Sequence, residues 1–384
     1  MTRRGQKAFT LFELLVATFV AIILIAMVYT VYSRAALGYR VQNLTLEMQA
    51  QARFGLEHLR RDLANAGFNG TTNSAVDLNL CTVPATPLRA FVLKRKGNDA
   101  NVANPGVNIN IAPMSVTLFG DYSGDGNVFY TQSIVGATVT LQSDFKGAVT
   151  QAEFEDMFLT GNRRYLRVVD KEQYEMLETV SSANYDLGTI TLSSALPVKT
   201  GNQACGVQGF GEGLEVNSAH FVRYRIARDD RTGAAPGKTD LIREEVMNDG
   251  KTPAPGTQLI IAENAIDLGF YDFVFDSDTT GTAPAVQMVP TATDVIIDEG
   301  GGGWLGGSGT APRTQDLRFV TVKLTVRSTD EDLDLVHKAR QSETGPIYTF
   351  DVAKDLEGAA HTLTMTSKVM LSTLAVRNVK AGSS

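Results

Sequence analysis

Twenty consecutive uncharged residues, Leu14 to Ser33, constrain this chain more than any other feature. At about 1.5 Å per residue they form a helix of roughly 30 Å, one bilayer core. The segment ahead of them, MTRRGQKA, is short and basic through Arg3, Arg4 and Lys7. The apolar run then continues without the short core and small-residue cleavage site of a secretory signal. Positive charge on the short side predicts a cytoplasmic N-terminus, with the remaining ~350 residues translocated. One residue is out of place: Glu13 sits at the edge of the run, and an acid so close to hydrocarbon is read as functional.

The helical pattern does not stop at the membrane. No proline interrupts Arg34 to Ala66, and Val41, Leu44, Met48, Ala52, Leu56, Leu59, Leu63 and Ala66 recur in steps of three and four. Those steps define one buried stripe. Arg53 with Glu57, and Glu57 with Arg61, are spaced as i,i+4 pairs on the opposite side. Gly67 reads as the glycine that ends the helix, with Phe68 placed to fold back on the last turn. The expectation is one helix of about 60 residues, roughly 85 Å long, apolar all round in its first half and amphipathic in its second.

Lys7-Ala8-Phe9-Thr10-Leu11-Phe12-Glu13-Leu14-Leu15-Val16-Ala17 resembles the class III leader junction of type IV prepilins and type II secretion pseudopilins. The resemblance implies cleavage by a prepilin peptidase between Ala8 and Phe9, followed by N-methylation of Phe9. The pattern usually has glycine before the cut; Ala8 departs from it but is also small. Glu13 becomes the fifth mature residue. The resemblance assigns its carboxylate to an ion pair with the free amine of a neighbouring subunit as helices pack into a filament. A partly buried charge needs such a partner; the competing reading is a Glu that snorkels to the interface.

Further residues narrow the likeness. Gln51 to Gly70, with Arg61-Asp62-Leu63 leading to Ala66-Gly67-Phe68-Asn69-Gly70, resembles the run in PilW-type minor pilins. Pseudopilin J of type II secretion shares the Arg-Asp-Leu portion but is not expected to carry the Ala-Gly-aromatic tail. Ile261 to Phe270, Leu317 to Thr329 and Leu363 to Asn378 are similar to later segments of the same minor pilins. The implied role is structural: incorporation at the pilus tip to prime assembly. The implied partners are the prepilin peptidase, an inner-membrane assembly platform, other minor pilins, the major pilin and a tip adhesin.

After Gly70 the helical period gives way to short β-like runs at 114–119, 137–141, 165–169, 189–192 and 221–226. The clearest strand is Leu317 to Arg327, where Val320, Val322, Leu324 and Val326 alternate with polar residues. A long helix followed by antiparallel strands predicts an α+β, type IV pilin-like fold with the amphipathic half lying on the sheet. The organisation reads as leader 1–8, spanning helix 9–33, amphipathic helix 34–67 and one elaborated extracytoplasmic domain 68–384. Residues 71–112, 145–186 and 328–347 read as insertions or long loops.

The domain carries weaker signals. Asp121, Ser123, Asp125 and Asn127 supply oxygens at alternate positions around Gly126, a pattern that suits Ca2+. Gln132 stands where an EF-hand has glutamate, however, and Asp-Gly is equally a hairpin-turn signal. If Ca2+ binds, a calcium-dependent tip adhesin becomes an alternative role. Cys81 and Cys205 are either two buried thiols or, outside the cytoplasm, a disulfide closing a long loop. GGGGWLGGSG (300–309) formally contains GxGxxG, but the Pro312 that follows rules out the helix a dinucleotide site requires. It reads instead as a loop offering Trp304 as a contact. The four histidines are scattered with no zinc-ligand spacing, and no GxSxG elbow or P-loop occurs. With net charge −7 and no basic strip, nucleic-acid binding is not expected.

Overall fold

The computed structural model describes residues 10–75, 77–84, 88–94, 113–123, 128–158, 163–201, 205–228, 238–276, 286–288, 317–329 and 361–371. Helix α1 (Leu11–Ala64) runs unbroken for 54 residues. Strands β1 (Phe91–Lys94), β2 (Ser115–Gly120), β3 (Phe129–Val135) and β4 (Thr138–Leu141) come next, then short helices α2 (Phe145–Ala148) and α3 (Gln151–Phe158). They are followed by β5 (Arg164–Val169), β6 (Glu175–Asn184), β7 (Thr189–Leu192), β8 (Glu215–Arg228), β9 (Thr239–Val246), β10 (Leu259–Ala262) and β11 (Ala265–Asp276). The last three are β12 (Val286–Met288), β13 (Leu317–Arg327) and β14 (Thr362–Met370). This is the expected α+β architecture, and every described strand pairing is antiparallel.

The amphipathic half of α1 docks as its stripe predicts. Leu44, Met48, Ala52, Leu56, Leu59, Leu63 and Ala66 are buried, while Val41, the first position of the expected stripe, is 38% exposed. Docking therefore begins one turn later, at Leu44. The stripe lies between two sheets and shares one core with Val222, Tyr224 and Ile226 of β8 and with Val322, Leu324 and Val326 of β13. At Gly55 the approach is close: a Cβ there would stand 2.7 Å from Leu324 Cδ2 and 3.1 Å from Ala262 Cβ. A larger residue would require the Leu324 side chain to move and would crowd Ala262.

Gly67 does end the helix at φ +80°, yet its N–H donates to Phe119 O of β2 at 2.8 Å instead of closing onto the helix's own carbonyls. The turn thus ties the helix end to the sheet. Phe68 remains 40% exposed. On the outer face, Glu57 takes a bidentate bond from Arg60 (2.6 and 3.0 Å), in place of the expected Arg53 and Arg61 pairs. Arg61 turns toward Asp62, 3.7 Å away.

Strand β8 organises the larger sheet. Its second half pairs with β9 on one side and β2 on the other; its first half pairs with β5 and β3. The order β8–β3–β4–β7–β6–β5 returns to β8, so these strands close into a ring. Its interior holds Phe129, Val139, Leu166, Val180, Ile190 and Val216, joined by Phe145, Phe154 and Phe158 of α2 and α3. Closure leaves this lobe with few open strand edges. Residues 145–186 are accordingly no long loop: they supply both short helices and two ring strands. The polar residues of β6 (Ser181, Ser182, Asn184) face outward and disguise it as a connector. The smaller sheet has the order β12–β11–β13–β14.

Candidate assembly site

The first 33 described helical positions, through Asn43, stand clear of the domain, all exposed except the partly covered Ser33. This is about 50 Å of helix, long and apolar enough to cross a membrane. Thr18, Thr30 and Ser33 turn their hydroxyls back onto Leu15, Met27 and Thr30 carbonyls at 3.0, 2.7 and 3.0 Å, so these three aliphatic hydroxyls are satisfied within the helix.

At the helix start, Thr10 and Glu13 form a reciprocal capping box. Glu13 N–H donates to Thr10 Oγ1 (3.3 Å), while Thr10 N–H and Oγ1–H both donate to Glu13 Oε2 (3.0 Å each). Two otherwise orphaned helix N–H groups are satisfied by this exchange. Both bonds fall on one carboxylate oxygen; Oε1 makes no hydrogen bond among the described residues. Glu13 therefore has a local role that the sequence reading did not consider. Ala8 and Phe9, the expected cleavage positions, lie outside the described residues.

A second polar site locks the other end of the helix. Asp62 is buried on the docked stripe, where it accepts Tyr224 O–H at 2.7 Å and Arg243 Nε–H at 2.7 Å. Tyr122 O–H donates to the Asp62 carbonyl at 3.1 Å. Burial, with Asp62 beside it, pushes the Tyr224 phenol well above its ordinary range. The helix is thus fastened to β8 and β9 by a charge-assisted cluster in which Asp62 is buried and Arg243 keeps a partly exposed edge. Asp62 belongs to the Arg61-Asp62-Leu63 motif, but its role went unread. The signal was present: Asp62 occupies a stripe position between Leu59 and Ala66 and so must be buried.

The turn after the helix is fixed residue by residue. Ala66 is fully buried, Asn69 takes φ +48°, and a Cβ at Gly70 would lie 3.0 Å from Phe119 Cε1. Later, Asn264 adopts φ +54° in the β10–β11 turn, where its N–H donates to Asp240 Oδ1 at 2.9 Å and Glu263 N–H donates to Gln51 Oε1 at 3.1 Å. Ala262-Glu263-Asn264, within the Ile261 to Phe270 segment, is thereby another attachment of the helix to the sheets.

His220 lies behind the Asp62 cluster, edge-on to Tyr122 with ring centroids 5.8 Å apart. Burial holds its imidazole well below the ordinary value, helped by Arg164, Arg243 and Arg163. The native state keeps it neutral, whereas the unfolded chain protonates it from about pH 6.5 downward. Stability should therefore be intact above that pH and fall below it, by at most ~1.4 kcal/mol per pH unit from this group. Urea unfolding of the full chain at pH 7.5 and 5.5 reads this directly, and His220→Phe should reduce the loss. An unchanged loss in that variant would assign the acid sensitivity elsewhere.

The remaining sequence candidates are dispersed. Cys81 and Cys205 are joined, with S–S 2.03 Å and Cα–Cα 5.7 Å, fastening the segment after the helix to the β7–β8 connection. Asp121 is buried at the end of β2: Oδ1 accepts Ser123 Oγ–H at 2.7 Å and Oδ2 accepts Asn69 Nδ2–H at 3.3 Å. Asp125, Asn127 and Trp304 lie outside the described residues.

Compared with known proteins, residues 3–29 match the family model described as the prokaryotic N-terminal methylation motif. No curated protein and no solved structure matches the chain significantly. The motif covers the basic leader, the Ala8–Phe9 junction, Glu13 and most of the apolar span. Together with one exposed helix running into an antiparallel β domain, it supports a type IV pilin-like protein.

Proposed function

We propose that this chain is a structural minor pilin of the PilW type. It is made as a single-pass precursor with Arg3, Arg4 and Lys7 in the cytoplasm and the β domain in the periplasm. Prepilin peptidase cuts between Ala8 and Phe9 and methylates Phe9. The inner-membrane platform then passes the subunit to the pilus tip, where with other minor pilins it primes polymerisation of the major pilin. In the filament, Glu13 Oε1 receives the positive amine of a neighbour while Oε2 keeps its bonds to Thr10.

The observation that carries this reading is the continuity of α1. One rigid helix joins an exposed, motif-bearing apolar half to a half locked into the domain by Asp62, so that packing of the helices places the domains. A minor pseudopilin J would share this design. The PilW reading is favoured by Ala66-Gly67-Phe68-Asn69-Gly70, where buried Ala66, positive-φ Gly67 and crowded Gly70 each meet a demand of the helix-to-sheet turn. An in-frame deletion separates the two. Loss of surface pili and twitching with exoprotein secretion intact is expected; loss of secretion with pili intact assigns the chain to a pseudopilus.

A further inference from the structure

Contacts along α1 set a direction in the domain. Gly55 lies against Leu241 and Ala262, Asp62 against Tyr224 and Arg243, Gly67 against Phe119, and Asn69 O accepts Asn217 Nδ2–H. Moving away from the apolar half thus means climbing β8 from Ile226 toward Glu215. Antiparallel pairing of Tyr130 with Glu215 carries β3 onward past that point, to Val135. There, beyond the helix end, one aromatic ring stands on a pinned loop.

The loop runs from Cys205 to Gly213. Cys205 is bonded to Cys81, and Val207 exchanges bonds with Pro197 O (2.8 Å) and Lys199 N–H (2.9 Å). Phe210 O accepts Ile134 N–H, and Gly213 N–H donates to Thr131 O, both at 2.8 Å. Gly209 and Gly211 take φ +58° and +67°, a conformation glycine accepts without strain. Between them Phe210 is 81% exposed, with Val135 and Val198 (70% and 56% exposed) at the same end of the lobe. A large apolar ring on a loop held in one geometry gives up little entropy on binding, as an interface anchor requires.

The occupant follows from position and area. The helix rises about 46 Å between Ser33 and Ala64, so the bilayer that holds this chain is out of the loop's reach. The three side chains expose roughly 300–400 Å², under half of the ~800 Å² per partner of a stable interface, too little to hold a dimer alone. The patch therefore fits a partner whose main attachment lies elsewhere, as helix packing supplies in a filament. We propose that Phe210, with Val135 and Val198, anchors a neighbouring pilin-like subunit on the membrane-distal side of this one, the ring entering an apolar pocket of that neighbour's domain. This rests on the filament reading above.

The test uses the full chain expressed from its own locus, with content measured in sheared filaments. Phe210→Asp should lower incorporation at least about tenfold and Val135→Asp should lower it less, with disulfide and mature N-terminus unchanged. Leu187→Asp, similarly exposed (69%) but at the other end of β4 and β7, should leave it unchanged. Phe210→p-benzoylphenylalanine should crosslink to a subunit bearing a pilin leader. Wild-type incorporation of Phe210→Asp, an equal loss in Leu187→Asp, or a crosslink to lipid or a non-pilin protein overturns the proposal. Normal incorporation of Phe210→Asp with lost surface attachment also overturns it, in favour of an external target. Absence of the wild-type chain from filaments is a different result, which sinks the filament reading and this inference with it.

Discussion

A Glu13→Gln chain is expected to insert, be cut and fold like the wild type, yet be depleted from sheared filaments at least about tenfold. The choice of glutamine follows from the capping box. Glu13 both starts the helix through Thr10 and, on the proposed mechanism, neutralises a neighbour's amine. Glutamine serves at the same position of a capping box, so helix initiation survives while the charge is lost. Glu13→Val removes both functions, and a defect in it alone would not separate them. Leader cleavage and incorporation, read by immunoblot of membranes and sheared filaments, distinguish the outcomes. Depletion of Glu13→Gln and Glu13→Val alike assigns the role to charge. Normal incorporation of Glu13→Gln with depletion of Glu13→Val reduces Glu13 to a helix cap.

The second large effect is on stability. Asp62→Ala leaves the buried Tyr224 and the partly buried Arg243 without their acceptor, and breaking such a pair costs up to about 3–5 kcal/mol. That is a large share of the ~5–15 kcal/mol by which domains are stable. Asp62→Asn retains an acceptor for the Tyr224 hydroxyl but no charge for Arg243, so its loss should be intermediate, about 1–3 kcal/mol. Urea midpoints of the detergent-solubilised full chain supply the comparison. Replacing the pair by apolar residues of similar size, Asp62→Leu with Arg243→Met, should recover part of the loss, because the stranded cation is gone. An Asp62→Ala midpoint within error of the wild type would mean that the helix is held by its apolar stripe alone.

What the sequence disclosed divides along the range of the interactions. The helix was legible because a 3.6-residue period records burial directly: Leu44, Met48, Ala52, Leu56, Leu59 and Leu63 are all buried. Strand β13 was legible for the same reason at period two, with Val320, Val322 and Leu324 inward. Strand β6 was not, because its outer face is serine and asparagine and it owes its place to partners on both edges. Closure of the ring depends on β3 meeting β8 some 85 residues later, a non-local pairing that no local pattern announces. Asp62 was visible as a misfit within its stripe, but Tyr224 and Arg243 lie over 160 residues away. The Cys81–Cys205 separation of 124 residues likewise carried no geometry. The leader junction was the opposite case. Its chemistry is written in consecutive residues, which is why it could be read without a fold and is matched by a family model.

The central claim is that this chain is processed as a pilin before it is assembled, and the mature N-terminus tests it most directly. Mass spectrometry of the protein from native membranes should find a chain beginning at N-methylated Phe9, with residues 1–8 removed. An intact Met1, or a cut behind the apolar run, would contradict the account, since the positive amine proposed to meet Glu13 would never be made.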